Sequence, residues 1–220
     1  MRWGIPHCVL QRAVHEFKFP AGEQLFIDSV RKAMAALPPA QRAAFADEVQ
    51  GFIGQEATHR RIHQRFNEHL ARQGLRNAWV SRILARRPLL ESLDLRNWLA
   101  VTAATEHLTA IFAQHLLTHA SALQGAEPRL RDLWLWHSSE MAEHRSTAFD
   151  LYVASGGGAA WRVGIFKGVT RQFIVDTLRQ TLVNLWIDGS WWRAGTWAEA
   201  ARFLFGREGL ICCTRSARRG

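Results

Sequence analysis

The sequence predicts an all-α protein in which a helical bundle is followed by a C-terminal amphipathic helical extension. Apolar residues recur at spacings of three and four along the chain, and no window alternates in twos. Proline and glycine clusters, "LPPAQ", "QGAEP" and "SGGG", separate these periodic segments. The 220 residues are 48% hydrophobic, which is enough for one full-sized core, and no low-complexity break divides them. We therefore expect a single domain over residues 1–220, with the bundle at about 20–155 and the extension at about 159–211.

Two of the expected bundle helices lie in the first third of the chain. The first covers about 21–36, and the prolines of "LPPAQ" stop it. The same prolines open the second helix, because proline is tolerated in a first turn and not in a helix interior. This helix covers about 40–72, where Gly51 and Gly54 would allow a bend or break, and Gly74 ends it.

Two further long helices follow a short basic helix at about 77–87. Pro88 precedes a helix at about 90–122, and "QGAEP" separates that helix from a fourth long one at about 128–154. The glycines at 156–158 terminate the fourth helix. Four long helices joined by short connections are the pattern of an antiparallel bundle.

Residues 161–192 are predicted to form an amphipathic helix, because charged residues interrupt their apolar runs too often for a membrane span. The residues expected on its buried side are Val163, Phe166, Phe173, Ile174 and Leu178. We expect this side to pack on the protein's own bundle. Burial in a membrane surface is the alternative, since the segment is basic and Trp186, Trp191 and Trp192 favour the boundary between apolar and polar media.

The charge balance and the cysteine content restrict the partners and the compartment. The 28 Lys+Arg against 19 Asp+Glu give a net charge of +9, which favours an anionic partner or a solvated basic surface. Cys8, Cys212 and Cys213 offer no disulfide framework, and neither a signal peptide nor a spanning segment is visible. We expect a cytoplasmic protein, with peripheral contact at the inner face of the membrane as the alternative. The expected partner is a small-molecule substrate, a homodimer is a further option, and nucleic acid is not favoured.

Two of the predicted helices carry matching rows of metal-ligand residue types. In "GQEATHRRIH" of the second helix, and again in "WHSSEMAEH" of the fourth, three such residues stand at positions i, i+3 and i+7. At roughly 100° per residue, these positions fall within about 60° of one another on a helix surface. The members of the two rows are Glu56, His59 and His63, and His137, Glu140 and His144. Each row therefore presents its ligand types on one face.

The other two long helices each carry one candidate glutamate. Glu23 and Glu106 lie among apolar or small neighbours, where a buried carboxylate is unfavourable unless it is neutralised or bound to a cation. One Glu from each of two helices with a Glu/His row from each of the others is how helical bundles build carboxylate-bridged di-metal sites. Imidazole and carboxylate suit iron, manganese or zinc. The spacing of Glu143 leaves three alternatives open: it binds the metal, it contacts a residue that does, or it is simply exposed.

At these residues the sequence resembles the bacterial predicted metal-dependent hydrolase family. The blocks "FPAGEQLF", "GQEATHRRIHQRFN", "ATEHLTA" and "WHSSEMAEHRSTAFDLY" resemble its recurrent motifs, and the resemblance spans roughly residues 15–210. The resemblance implies a metal site at the family's motif positions, which here are Glu23, Glu56, His59, His63, Glu106, His137, Glu140 and His144.

The same residue set is similar to that of ferritin-like di-iron enzymes, including N-oxygenases that add a third histidine. This similarity implies a ferritin-like bundle. Two features depart from the ferritin pattern. First, Glu140 and His144 are four residues apart, whereas ferritin-like proteins have Glu-x-x-His. Second, the two rows contain four histidines, more than ferritin-like storage or oxidase sites use.

Three functional hypotheses follow. In the favoured one, two irons bridged by Glu56 and Glu140 use dioxygen to oxidise a small apolar substrate. In the second, zinc or manganese activates a water for hydrolysis, with Glu143 as the proton acceptor. In the third, the chain binds metal without catalysis and acts at a membrane surface. For the first, we expect a dry pocket lined by Phe26, Phe52, Phe66, Phe112 and Phe149.

Overall fold

The computed structural model describes residues 20–72, 74–75, 77–119, 123, 127–143, 146–207 and 209–211. Within these ranges the chain forms helices and no strands, so the predicted all-α class is confirmed. The α-helices are α1 (Pro20–Ala36), α2 (Pro39–Arg72), α3 (Trp79–Glu91), α4 (Leu95–Thr118), α5 (Pro128–Glu143), α6 (Thr147–Ala154), α7 (Ala159–Ile187) and α8 (Ala194–Phe205). A short 3-10 helix, Ser190–Trp192, lies between α7 and α8.

Local chemistry explains where several helices begin and end. Pro20, Pro39 and Pro128 are each the first helical residue, where the missing N–H has no helical partner to lose. Asp94 caps α4, because its side chain accepts a hydrogen bond from the backbone N–H of Arg96 at 2.8 Å. These starts agree with the sequence predictions to within a few residues.

Two helix boundaries differ from the predictions. α3 continues through Pro88 to Glu91, because Pro88 is exposed in the last turn and forfeits a single backbone hydrogen bond there. The helix expected at about 128–154 is described as two helices, α5 and α6, and Ser146, directly before α6, lies in a turn. Neither proline nor glycine marks this boundary, which is why the sequence did not reveal it.

The end of α6 does follow its glycines. Gly156 has φ +78°, a conformation that side chains disfavour, and the N–H of Gly157 donates to the carbonyl of Tyr152 at 2.9 Å. The Tyr152 hydroxyl then donates to the carbonyl of Gly158 at 2.8 Å. A Cβ added at Gly157 would collide with the Tyr152 ring. The glycine run is therefore required by the close packing of the turn against Tyr152.

α4 is the central helix of the bundle and contacts α1, α5, α6 and α7. The main apolar core contains buried residues of α1, α2, α4 and α6, among them Val30, Phe52, Leu99 and Leu151. A smaller apolar cluster contains Leu116, Leu123 and Trp134. Glu56 is one turn beyond Phe52 of the main core, and His137 is one turn beyond Trp134 of the smaller cluster.

α7 packs on the bundle with a different face from the one predicted. Phe173 is buried and Phe166 half-buried, as expected, but Val163, Ile174 and Leu178 are 45%, 52% and 55% exposed. For these three residues the expected packing on the bundle was wrong. The rest of the buried face is mostly polar and consists of Asp176, Gln180, Asn184 and Leu185.

The partner of this polar face is α3. The Asp176 carboxylate lies 2.9 Å from Arg82 Nε and 2.5 Å from Arg86 Nη1. Gln180 Oε1 accepts a hydrogen bond from the backbone N–H of Ala78, at the start of α3. Because α3 presents cations and a free helix terminus, the polar side of α7 is buried and its apolar side is left outside. None of the described helices is long and apolar enough to cross a bilayer.

Candidate metal centre

The predicted ligand residues that the structure describes converge on one buried cluster. Four helices supply it. Its members are Glu23 of α1, Glu56, His59 and His63 of α2, Glu106 of α4, and His137 and Glu140 of α5. His144, the remaining predicted ligand, lies outside the described residues.

The row on α2 lies on the face that the helical spacing predicts. Glu56, His59 and His63 are 2%, 2% and 4% exposed. The ring of His137 on α5 lies against this face, with its centroid 4.1 Å from that of His59 and 4.9 Å from that of His63. The three imidazoles are therefore grouped at the α2–α5 interface.

Carboxylates surround these rings. The Nδ1 atom of His63 and the Glu23 carboxylate share a hydrogen bond between α2 and α1. His59 Nε2 lies 3.0 Å from Glu140 Oε2, and His59 Nδ1 lies 3.4 Å from Glu56 Oε1. His59 thus joins the acidic residues of two helices through its two ring nitrogens.

Two of the buried carboxylates, those of Glu23 and Glu106, have strongly raised pKa values. Burial raises the pKa of Glu23 to about 8, although the nearby charges of His59 and Arg60 act in the opposite direction. Burial also raises the pKa of Glu106 well above its ordinary value, and the charges of Glu56 and Glu23 raise it further. Within the described part of the chain, neither Glu23 Oε2 nor Glu106 Oε1 has a hydrogen-bond partner.

The pKa of His59 is shifted upward by its acidic neighbours. Burial alone would lower this pKa, but the hydrogen bond to Glu56 and the charges of Glu56, Glu23 and Glu140 outweigh it. Burial therefore favours the protonated, neutral forms of Glu23 and Glu106 in the metal-free protein, because the bundle interior cannot solvate their negative charge.

Two tryptophans that the sequence analysis did not select line the cluster. The Trp134 ring stacks against His63 with centroids 6.2 Å apart and meets His137 edge-on at 5.4 Å. Trp136 meets His59 edge-on at 6.0 Å. Their signal in the sequence is the "WLWH" motif, which places Trp134 one turn before His137 on the same face.

Glu140 and Glu143 mark the solvent side of the cluster. The Glu140 side chain is 27% exposed, more than any other described member. Glu143 is exposed at the last residue of α5, and no hydrogen bond joins it to the described cluster residues. Its role as a proton acceptor stays a prediction.

A large half-open cavity of about 910 Å³ lies on another face of α4. Small and apolar residues such as Ala103, Ile111 and Phe166 line it together with Arg162, and no member of the cluster does. Of the phenylalanines expected around a substrate pocket, Phe149 alone lines this cavity. Phe26 and Phe52 belong to the apolar core instead.

The donor atoms of the cluster are of types that bind metal ions, but they pair with one another and do not converge on a common point. Among the described residues, no three His, Cys, Asp or Glu side chains already form a metal-binding group. The pairing of Glu23 with His63 and of Glu140 with His59 explains this, since these donors face each other. Metal binding would require them to turn towards a shared ion. The set of carboxylates and imidazoles, with two buried carboxylate oxygens lacking described donors, fits such an ion.

Comparison with known proteins identifies one family. A family model described as "predicted metal-dependent hydrolase" matches residues 10–218. No curated protein and no solved structure matches the chain. The match covers every described residue of the cluster, and these comparisons give no support to the expected ferritin-like arrangement.

Proposed function

Because the chain belongs to the family of predicted metal-dependent hydrolases, we propose that its buried glutamate–histidine cluster holds the metal of a hydrolase. One observation carries the proposal: the buried oxygens Glu23 Oε2 and Glu106 Oε1 have no hydrogen-bond donor among the described residues. Leaving such atoms unsatisfied is unfavourable, and a cation between the helices would satisfy both. The family match and the convergence of the cluster support the same conclusion from independent observations.

The buried members of the cluster would provide both charge and neutral donors for the ion. Glu23, Glu56 and Glu106 are almost fully buried and would neutralise a cation from the α1, α2 and α4 sides. His63 and His137 would contribute neutral nitrogen donors. Trp134 packs on both of these rings and would restrict their orientation. Carboxylate with imidazole suits zinc, manganese and iron, so this donor set leaves the choice among these metals to experiment.

When bound, the metal would supply the Lewis acidity that makes water a nucleophile near neutral pH. The chain would supply the proton chemistry. Glu140 is the partly exposed member of the cluster, so water and substrate would approach from its side. Glu143 lies one turn further along α5 at that side, and its exposed carboxylate would accept the proton of the attacking water. His59 contacts Glu140 in the metal-free protein, and it would contribute a further nitrogen donor once the two side chains turn towards the ion.

Hydrolysis takes precedence over the di-iron oxidation that the residue pattern first suggested. The family description names hydrolysis, and no comparison names an oxygenase. The cavity on the other face of α4 contains no cluster residue, so it gives no support to an apolar oxidation pocket beside the cluster. Oxidation and non-catalytic metal binding therefore become the outcomes against which hydrolysis is tested.

The test is an assay of untagged protein loaded separately with zinc, manganese or iron. Carboxylic and phosphoric esters with a chromogenic leaving group serve as probes, under air and under argon. We expect hydrolysis that a chelator abolishes and that argon leaves unchanged. Substrate-dependent oxygen consumption by the iron form, without ester cleavage by any form, would overturn the proposal.

Matched variants assign the proton acceptor. Glu143→Gln should lower turnover while the metal content stays at the wild-type value, because Glu143 lies outside the buried cluster. Glu48→Gln, at an exposed position of α2 away from the cluster, is the control and should change neither. If Glu143→Gln retains full turnover, the proton acceptor lies elsewhere.

A further inference from the structure

The second half of α7 leaves many of its large apolar residues exposed. It buries the polar residues Asp176, Gln180 and Asn184 beside Phe173 and Leu185. The exposed apolar residues of its second half include Ile174 (52%), Val175 (38%), Leu178 (55%), Leu182 (38%) and Trp186 (63%). Exposed apolar residues grouped on one side of a helix in this way indicate an interaction site.

These residues form one stripe, which we call the α7 outer face. Positions 174, 178, 182 and 186 are spaced by four residues, so each lies about 40° around the helix from the last, and Val175 falls within the same arc. Beyond the end of the helix, the exposed ring of Trp192 lies 5.8 Å from that of Trp186, centroid to centroid. The apolar stripe therefore ends in a pair of exposed tryptophans.

The charges on this face all have one sign. Lys167, Arg171 and Arg179 are exposed and fall on the same side of the helix as the apolar stripe. The only acidic residue of α7 is Asp176, which is 1% exposed and paired with the arginines of α3. The outer face thus combines an apolar stripe, cations and exposed tryptophan, without an exposed carboxylate of the helix.

We propose that the α7 outer face docks on an anionic lipid surface. Apolar side chains would enter the boundary of the acyl chains, tryptophans would occupy the headgroup level, and the cations would meet lipid phosphates and carboxylates. A second copy of the chain fits less well. In a symmetric dimer the same face meets itself, and here cations would approach cations without an acidic residue of α7 to pair them.

Flotation with vesicles tests this proposal, and its readout is independent of catalysis. The probes are vesicles of phosphatidylcholine alone and of phosphatidylcholine with about 30% phosphatidylserine. The wild-type chain should float with the anionic vesicles at low salt, detach at high salt, and stay away from neutral vesicles. Absence of flotation with anionic vesicles, or equal flotation with both kinds, would overturn the proposal.

Paired substitutions locate the contact. Arg171→Gln with Arg179→Gln should weaken binding about thirtyfold, since each cation near an anionic surface contributes roughly fivefold. Leu178→Ser with Trp186→Ser should weaken it comparably through loss of apolar burial. Each of these residues is exposed, so the fold should survive, and circular dichroism verifies it.

Two control pairs match these changes at other surfaces. Arg65→Gln with Arg129→Gln removes the same charge from α2 and α5, and Leu84→Ser with Leu89→Ser removes exposed apolar residues of α3. Both should retain binding. If the control variants lose as much vesicle binding as the α7 variants, binding depends on the net charge or the overall hydrophobicity of the protein, and the proposal fails. It also fails if sedimentation shows a dimer that Leu178→Ser with Trp186→Ser dissociates.

Discussion

His59 Nε2 lies 3.0 Å from Glu140 Oε2, across 81 residues of sequence and between two helices of the bundle. The other nitrogen of the same ring lies 3.4 Å from Glu56 Oε1. Through its two ring nitrogens, His59 of α2 therefore contacts a carboxylate on each of the helices α5 and α2. We therefore expect both the stability of the cluster and its affinity for metal to depend on His59.

The first prediction concerns this histidine. His59→Ala should remove most of the bound metal, because it deletes a donor and separates the carboxylates of Glu56 and Glu140. Elemental analysis of the variant and of the wild type, purified in parallel, measures the loss. His107→Ala removes an exposed histidine of α4 outside the cluster and should keep the wild-type metal content. Full metal retention in His59→Ala would exclude His59 as a ligand.

The second prediction concerns pH. The pKa of Glu23 is raised to about 8, so at neutral pH the metal-free protein holds a proton that the metal must displace. Glu106 and His59 are shifted in the same direction. Metal affinity should therefore rise as the pH increases towards about 8, and binding should release protons. Calorimetric titrations in buffers of different ionisation enthalpy measure the release. Binding that takes place without proton release would contradict this account.

The raised pKa of Glu23 also makes the stability of the metal-free protein depend on pH. A carboxyl whose pKa is higher in the folded than in the unfolded state stabilises the fold below its unfolded pKa, and this stability is lost as pH rises through the folded value. For Glu23 the window runs from about 4.5 to about 8. Thermal unfolding in the presence of a chelator should thus show a falling midpoint across this range, and bound metal should reduce the fall.

A third prediction separates the structural from the binding role of Glu106. Glu106→Gln keeps the shape of the side chain but cannot ionise, so the metal-free variant should be at least as stable as the wild type above neutral pH. Its metal affinity should fall, since a buried anionic donor is lost. Thermal unfolding with and without metal measures both effects. Glu48→Gln is the exposed control, and a Glu106→Gln variant that binds metal like the wild type would remove Glu106 from the site.

A fourth prediction concerns the attachment of α7. Asp176→Ala leaves two arginines of α3 without their shared carboxylate and should destabilise the fold by roughly 3 kcal/mol. Asp132→Ala breaks an exposed pair with Arg131 and should change stability by about 0.5 kcal/mol or less. Denaturant unfolding compares the two variants. Equal effects would show that the buried ion pairs do not hold α7 in place.

Much of the fold follows from helical periodicity and the positions of proline and glycine. The residues on the cluster face of α2 were predicted by spacing alone, because a carboxylate and two imidazoles at i, i+3 and i+7 must share a face. Glu23 and Glu106 were predicted because charged residues among apolar neighbours are unfavourable without a partner. Their convergence on one cluster matches that expectation, while metal binding itself stays a prediction.

The errors have a common physical cause, which is that tertiary partners override local pattern. The apolar stripe of α7 indicated its buried side, but Arg82 and Arg86 of α3 make the side with Asp176 the favoured one to bury. The boundary between α5 and α6 likewise has no local breaker residue. Trp134 and Trp136 were missed because aromatic residues in a helix usually indicate packing, and their contacts with the histidines become visible only in three dimensions.

The central claim is that the buried cluster is a metal site, and the metal-to-chain ratio of the untagged protein tests it most directly. Elemental analysis should find at least one equivalent of zinc, manganese or iron per chain, which is the ion that the cluster would hold. His59→Ala should have lost most of this metal, and His107→Ala should have kept it. A wild-type protein whose metal content after incubation with each ion is no higher than that of His59→Ala would contradict the account.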